Sequence, residues 1–271
     1  ASSTLHAVRR GRAEKMLTWA YDGSLTRRPD ELIVEEPLSI QLDGTLASTT
    51  MRTPGDDFEL AVGYCHAEGL LAGHPVTGIR YCGTGSAVET DFNVVTVETG
   101  GRAPVPTPRL GTTTSACGVC GAEAIAELAD RLERMHDVEP FRVEVLASVA
   151  ESVAADQPLF DATGGVHAAA VFDRDGQVVM VREDIGRHNA VDKVVGRLLL
   201  DRALPASDLG LFVSGRASFE MVQKAWAAGF AAVVAVSAPS ALAVDTARAA
   251  NLQLAGFARE GRFNLYSPAE L

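Results

Sequence analysis

Apolar and polar positions alternate through Leu32-Ile-Val-Glu-Glu-Pro-Leu-Ser-Ile-Gln-Leu-Asp43-Gly44-Thr-Leu46, the period of a strand with one face in a core and the other in water. Asp43-Gly44 supplies the positive-φ pair of a tight turn, so residues 31–51 are predicted to form a hairpin. The period then changes. After Thr53-Pro54-Gly55-Asp56-Asp57, the residues Phe58, Leu60, Ala61, Tyr64 and Leu70 fall near helical spacing, which predicts a helix to about Leu71. Residues 79–97 alternate again and read as two strands. Residues 31–110 are therefore expected to form a small α+β domain, closed by the proline and glycine cluster of residues 100–108, which suits a linker.

The second half carries a different signature. Val166-His167-Ala-Ala-Ala-Val-Phe172 is apolar on both faces, as a buried strand is, and Asp173-Arg-Asp-Gly176 turns it into a partner over 178–182. Helices are expected at 189–200, 218–228 and 240–250, alternating with strands at 209–213, 231–236 and 254–257. Strand and helix in alternation predict a mostly parallel sheet with helices on both faces, an α/β domain over 122–271. The polar, basic residues 1–30, with Arg9, Arg10, Arg12, Lys15, Arg27 and Arg28, are expected to be a partly ordered arm; they lack the apolar run of a signal peptide.

Composition narrows the function classes. With 47% hydrophobic and 22% charged residues over 271 positions, the chain can bury a full core. A net charge of −11 repels nucleic acid, so an anionic ligand needs a local basic pocket. Residues 225–244 carry no formal charge, yet Gly229, Pro239 and the β-branched density of 231–236 mark a core strand rather than a membrane span. Four cysteines in a chain of this length fit a reducing compartment, and a cytoplasmic location is expected.

The candidate chemistry begins at Cys117-Gly-Val-Cys120-Gly121, in a segment (111–121) expected to be a mobile loop at the mouth of a helix. Unpaired N–H groups at a helix start stabilise a thiolate and lower the thiol pKa, which suits a reactive sulfur. The pair is also half of a zinc site, but Cys65 and Cys82 do not form a second CxxC and no His pair has ligand spacing. The Pro- and Thr-rich approach to it differs from the strand-to-helix turn of a thioredoxin-type motif. Three predicted strand-to-helix junctions carry polar residues where such folds hold anions: Glu183-Asp-Ile-Gly186-Arg187-His188-Asn189, Ser214-Gly215-Arg216-Ala217-Ser218 and Ser237-Ala238-Pro239-Ser240. Each is separately readable as an N-cap beside a solvated arginine. Three in succession point to a nucleotide-sized phosphate ligand.

These segments, with Thr163-Gly-Gly-Val-His167, the run from Arg182 to Lys193, the run from Ser214 to Lys224 and the closing Gly256-Phe257-Ala258-Arg259 to Tyr266, resemble the formate dehydrogenase accessory sulfurtransferase family, FdhD/NarQ. The resemblance spans about residues 31–266. It implies a cytidine deaminase-like three-layer C-terminal domain beside the smaller N-terminal one. It further implies a sulfur carrier that takes persulfide sulfur from a cysteine desulfurase on Cys117, with Cys120 assisting, and passes it to the bis-molybdopterin guanine dinucleotide cofactor destined for formate dehydrogenase. A homodimer is expected.

The cofactor, as substrate, is expected against Arg187, His188, Asn189 and Lys193; against Ser214, Gly215, Arg216, Ser218 and Phe219; against Ser237, Ala238, Pro239 and Ser240; and against Phe257, Ala258, Arg259, Glu260, Gly261 and Arg262 at the C-terminal edge. His167, among small apolar neighbours, is expected to be structural. Deaminases of this fold require His-x-Glu and Pro-Cys-x-x-Cys. Here Arg187-His188-Asn189 and Ser214-Gly215-Arg216 stand in those places, so no zinc is expected. Two other readings are a non-catalytic carrier of the molybdenum cofactor and a metal-dependent hydrolase.

Overall fold

A two-stranded ribbon, two larger sheets and the helices packed on them organise residues 11–82, 90–107, 121–136 and 138–268, which the computed structural model describes, with side chains from residue 125 onward in the third span. The chain enters through β1 (Ala13–Tyr21) and β2 (Leu25–Ile33), an antiparallel pair in register from Ala13↔Ile33 to Tyr21↔Leu25. The segment expected as a partly ordered arm is thus largely a hairpin. Its strand period, carried by Leu17, Trp19 and Tyr21, is diluted in the sequence by the charges around it.

Strands β3 (Glu36–Leu42) and β4 (Thr45–Arg52) meet through Asp43 and Gly44, whose φ values of 48° and 84° are the positive pair the turn requires. β5 (Gly78–Tyr81) and β6 (Val94–Glu98) complete a sheet of order β4-β3-β6-β5. Helix α1 (Asp57–Ala67) packs Leu60, Ala61 and Cys65 on Leu38, Ile40, Leu42, Val95 and Val97. It stops short of Leu71 because Glu68 caps it and Gly69 turns left-handed at φ 73°. The glycine-rich stretch after β6 is tied back at its start: Asp43 accepts from the Thr99 N–H at 2.8 Å and from the Thr99 hydroxyl at 2.5 Å.

The second sheet contains β7 (His167–Phe172), β8 (Val178–Asp184), β9 (Gly210–Val213), β10 (Ala232–Ala235), β11 (Gln253–Arg259) and β12 (Arg262–Ser267), in the order β12-β11-β10-β9-β7-β8. It is mixed rather than mostly parallel, because only β9–β10 and β10–β11 pair in parallel. Both flanks are hairpins, β7–β8 and β11–β12, and a short turn can join only antiparallel neighbours. Alternate strand residues serve opposite layers. Val171, Leu211, Val213 and Val233 pack with α5 (Arg187–Leu200), α6 (Phe219–Ala228) and α7 (Ala241–Ala250), which α2 (Gly121–Arg131) joins through Leu128. Ala170, Phe172, Phe212 and Val234 pack instead on α3 (Val143–Ala154), which the short α4 (Pro158–Thr163) follows. The uncharged stretch 225–244 is divided among α6, β10 and α7, and no helix among the described residues is long and apolar enough to cross a membrane.

The two sheets are joined by α1 lying against α5. At their crossing, a Cβ on Gly63 would stand 1.8 Å from the Asp192 carbonyl oxygen, and one on Gly196 would stand 1.8 Å from the Glu59 carbonyl oxygen. Only glycine at both positions lets the helix backbones meet, so the first sheet sits against the second through paired helices rather than through a linker.

Candidate functional site

Much of the run from Arg182 to Lys193 points inward. Arg182 grips Glu59 of α1 through Nε and Nη2 at 2.6 and 3.0 Å. Glu183 accepts the N–H groups of Leu159 and Phe160 at 2.9 and 2.8 Å, so it caps the start of α4. Asp184 is fully buried; its carboxylate accepts from Thr53 N–H (3.1 Å), Gly186 N–H (2.8 Å) and Asn189 Nδ2 (3.0 Å), and Lys193 Nζ lies 2.8 Å away. Lys193 also donates to the Thr53 carbonyl at 3.1 Å. Asn189 donates to the Met51 carbonyl at 2.7 Å and accepts from Thr50 Oγ1 at 3.2 Å. Lys193 and Asn189, read from the sequence as ligand contacts, are therefore placed in the interior, where they fasten β4 to the β8–α5 junction. A second buried pair, Lys224 with Asp192 at 2.7 Å, fastens α6 to α5, and burial pushes the Asp192 carboxyl up to about 6.

These ties set the geometry of one sheet edge. Strands β8, β9, β10 and β11 run the same way, so their C-terminal ends collect there with the first residue of β7. Backbone bonds stitch the junctions side by side: Ser214 N–H to Ala168 O (2.9 Å), Ser237 N–H to Gly215 O (3.3 Å), Ser240 N–H to Ala217 O (3.0 Å) and Phe257 N–H to Ser237 O (3.2 Å). Helix α7 is capped by Ser240, whose Oγ accepts from Ala243 N–H at 3.2 Å. Helices α5 and α6, with Gly186 and Ser218 at their caps, have no side-chain cap. Arg187 Nε and Ser218 Oγ are buried there without a hydrogen-bond partner among the described residues. Two helix starts with free N–H groups, beside an unspent guanidinium nitrogen, favour an anion.

His188 Nε2, like Arg187 Nε, has no well-formed hydrogen bond among the described residues; it lies 2.5 Å from Glu220 Oε2 across the first turns of α5 and α6, and this close contact holds the Glu220 carboxyl below its usual range. Against expectation, His167 is not core. It lines a cleft of about 680 Å³ with Ser214, Ile185, Phe160, Gln157 and Arg259, between this edge and the α3–α4 wall. That volume lies in the range of small-molecule sites. Its Nδ1 is 3.4 Å from Ser214 Oγ, and that oxygen accepts the Ala168 N–H at 2.9 Å, so the serine hydroxyl links the imidazole to the β7 backbone. Burial, reinforced by Arg187 and His188, lowers the His167 pKa.

The remaining sequence-predicted residues divide. Ala258, Arg259 and Glu260 reach the same cleft, while Phe257, Arg259 and Arg262 surround a neighbouring depression of about 320 Å³. Arg262 is paired with Glu260, and Gly261 N–H donates to Glu151 at 3.2 Å. Arg216 is exposed on the β9–α6 loop, Phe219 packs against the core, and Pro239 bridges to Ala217. Cys117, Cys120 and the segment expected to be a mobile loop lie outside the described residues.

A model of the FdhD/NarQ family matches residues 33–271. The chain belongs to that family. It is 47% identical over 258 residues to the sulfur carrier protein FdhD of Streptomyces coelicolor, across 92% of this chain and 91% of the relative. It is 48% identical over 248 residues to that of Nocardia farcinica, across 90% and 88%. A crystal structure described as a formate dehydrogenase accessory protein from Desulfotalea psychrophila shares the fold at a TM-score of 0.74, with 22% identity over 96% of this chain and 99% of that one. In this FdhD/NarQ chain the α3–α4 side of the cleft, including Glu151, Gln157 and Phe160, escaped sequence reasoning. Only Thr163-Gly-Gly-Val-His167, a loop entering a strand, signalled that wall. Among the described residues no three His, Cys, Asp or Glu side chains form a metal-holding group.

Proposed function

We propose that this chain is a sulfur carrier that accepts persulfide sulfur on Cys117 from a cysteine desulfurase and delivers it to a molybdopterin guanine dinucleotide cofactor, bound as substrate, for formate dehydrogenase. The observation that carries the reading is the match to sulfur carrier proteins over more than nine-tenths of both chains. The edge geometry supports it, because a dinucleotide brings phosphates and the β8–α5 and β9–α6 junctions offer Arg187, Arg216 and two uncapped helix starts.

In the loading step the Cys117 thiolate attacks the outer sulfur of the donor persulfide. One S–S bond forms on Cys117 while the donor's S–S bond breaks and its thiolate leaves. In release, the Cys120 thiolate attacks Cys117 Sγ, a Cys117–Cys120 disulfide forms, and the terminal sulfur departs as sulfide with both electrons of the broken bond. A thiol reductant then restores the pair.

The test is mass spectrometry of the peptide spanning residues 117–120 after incubation with a cysteine desulfurase and cysteine. An adduct of about 32 Da, one sulfur gained by exchange, is expected in wild type and lost in Cys117→Ala; its persistence in that variant removes Cys117 from the role. Cys65 is an internal control, since it is fully buried and burial pushes its thiol up to about 12. Guanosine diphosphate titrated against wild type and Arg187→Ala tests the edge. Equal affinity in the two would remove the arginine from the site.

A further inference from the structure

Among the described residues, four buried side-chain nitrogen or oxygen atoms lack a hydrogen-bond partner, and three of them, Arg187 Nε, His188 Nε2 and Ser218 Oγ, belong to the β8–α5 and β9–α6 junctions. Native interiors leave few such atoms unpaired, so a group of them at adjoining junctions asks for an explanation. Arg187 reaches across to the second junction, where a Cβ on Gly215 would stand 3.7 Å from its Cδ. Helices α5 and α6 begin there without a side-chain cap, which leaves their first N–H groups free as well. Donors are in excess.

A carboxylate already faces them. Glu220, in the first turn of α6, brings Oε2 to 2.5 Å from His188 Nε2, and His188, Lys224 and Arg187 favour its ionised form. Lys224 is spent on Asp192 at 2.7 Å and lies 3.6 Å from Glu68, so Arg187 and His188 are the cations left to the junction. The His188–Glu220 contact also differs from the ion pairs that fasten the fold. Lys193 and Asp184 are 0% exposed and Lys224 and Asp192 are 5 and 3% exposed, whereas His188 and Glu220 keep 20 and 28% of their side-chain surface. The sealed pairs open only with their surroundings; a partly exposed glutamate turns into water by rotation of its own side chain.

We propose that Glu220 is the group a ligand phosphate displaces: its carboxylate stands against His188 until a phosphate entering the edge takes its place beside His188, Arg187, Ser218 and the two helix starts. The proposal rests on the reading of this edge as the place of the cofactor's phosphates, and adds the residue that sets how tightly they are held. Shape supports the exchange. The carboxylate offers two oxygens in one plane and leaves all three buried atoms without a well-formed bond, while a phosphate offers three acceptor oxygens in a tetrahedral array, enough for a guanidinium, an imidazole and a hydroxyl together. Two anions in one junction repel, so the carboxylate leaves as the phosphate arrives, and expelling it lowers the ligand's affinity. An edge weaker than its donors alone would make it suits a carrier that must release what it holds.

A glutamate that served only the fold would behave differently. An acidic side chain in the first turn of α6 stabilises that helix through its dipole, so Glu220→Gln lowers stability under either role. For a purely structural residue, ligand affinity falls with stability or stays constant. For a displaced one, affinity rises while stability falls, the opposition expected where a functional site is held away from its most stable arrangement.

The experiment is calorimetric titration of the purified full chain with guanosine diphosphate and with inorganic pyrophosphate, for wild type, Glu220→Gln, His188→Ala and Arg187→Ala, beside urea unfolding of each. Glu220→Gln is expected to bind both probes at least ~10-fold more tightly, one like charge having been removed from beside the phosphate, with a lower unfolding midpoint. His188→Ala, which loses a donor the phosphate gains, is expected to bind both about 10-fold more weakly. Pyrophosphate affinity in Glu220→Gln equal to or below that of wild type overturns the proposal; if guanosine diphosphate alone is weakened, the carboxylate belongs to the N–H groups of the guanine base. Binding undetected in both wild type and Glu220→Gln overturns it too, as does His188→Ala binding like wild type. Arg187→Ala separates this from the reading beneath it: unchanged affinity there removes the edge as a phosphate site and the displacement with it, whereas weakened Arg187→Ala with unaltered Glu220→Gln removes the displacement alone.

Discussion

Replacing Asp184 with Asn should damage the fold more than replacing its partner Lys193 with Met. The carboxylate accepts three hydrogen bonds besides Lys193, from Thr53 N–H, Gly186 N–H and Asn189 Nδ2 at 2.8–3.1 Å. Without the lysine, those donors still solvate the anion, and Met fills nearly the same volume. In Asp184→Asn, by contrast, the amide NH₂ either faces the Thr53 N–H and Lys193 on one side or the Gly186 and Asn189 donors on the other. In the first orientation the lysine keeps only the Thr53 carbonyl at 3.1 Å and the Glu183 carbonyl at 3.4 Å, and in the second it keeps a neutral amide oxygen in place of its counter-charge, in a site with no solvent. An unpaired buried charge costs about 3–5 kcal/mol, and a donor set against a donor adds about 1–3 kcal/mol. Lys193→Met is expected to cost about 2–3 kcal/mol, since the anion it strands remains hydrogen-bonded. Urea unfolding followed by far-ultraviolet circular dichroism gives both values from midpoints and slopes. If Lys193→Met is the more damaging of the two, or if both lie within about 1 kcal/mol of wild type, the donor count at Asp184 does not govern this site.

Two further outcomes follow from close contacts. Gly196→Ala puts a methyl group 1.8 Å from the Glu59 carbonyl, so α1 and α5 must separate by more than 1 Å; a loss of about 2–4 kcal/mol is expected, and an unfolding midpoint equal to wild type contradicts the crossing. Burial, opposed by a bond to the Ala227 carbonyl, lowers the His66 pKa, so the unfolded chain takes up that proton first as pH falls through about 6.5. Its contribution is complete above that pH and is lost below it. Asp192, raised to about 6, acts in the opposite sense, so the quantity to measure is the difference between wild type and His66→Gln. The variant keeps a donor for Ala227 and should lose less stability between pH 7.5 and 5.5. An identical loss in both proteins sinks the assignment.

Most helices and strands after residue 31 were legible because their signals are local. Ser240 and Gly229 mark helix ends, Asp43-Gly44 and Asp173–Gly176 mark hairpins, and apolar runs mark buried strands. Strand direction was legible on one flank only: Asp173–Gly176 signals the β7–β8 hairpin, whereas the reading stopped at a strand over 254–257 and missed β12 returning antiparallel beside β11. The hairpin at the N-terminus was hidden because its apolar residues alternate with charges on both strands and face no core. At the site, the collection of three junctions on one edge followed from strand and helix order. Lys193 was misplaced for a physical reason: a lysine about one and a half helical turns after an Arg-His pair looks like a phosphate ligand, and only Asp184 and the distant Thr53 reveal its interior role. His167 was misplaced in the other direction, since an apolar strand gives no sign that its first residue emerges at a cleft.

This division bears on how the long signature of the chain is to be used. Between residues 182 and 193, Arg182, Glu183, Asp184, Asn189, Asp192 and Lys193 all spend their polar atoms on other parts of the protein, tying α1, α4, α6 and β4 to one junction. Arg187 is different, with Nε buried and unspent, and His188 lies against Glu220 at the mouth of the same junction with its Nε2 likewise outside any well-formed hydrogen bond among the described residues. Substitutions within the tied set therefore act on stability first and on any ligand second, whereas Arg187 and His167 can be altered without opening a buried pair. A loss of function in Asp184 or Lys193 variants would consequently say nothing about ligand contact unless stability were measured beside it. Loss of nucleotide affinity in Arg187→Ala at unchanged stability is the result that distinguishes a rim that touches its ligand from a frame that only positions it.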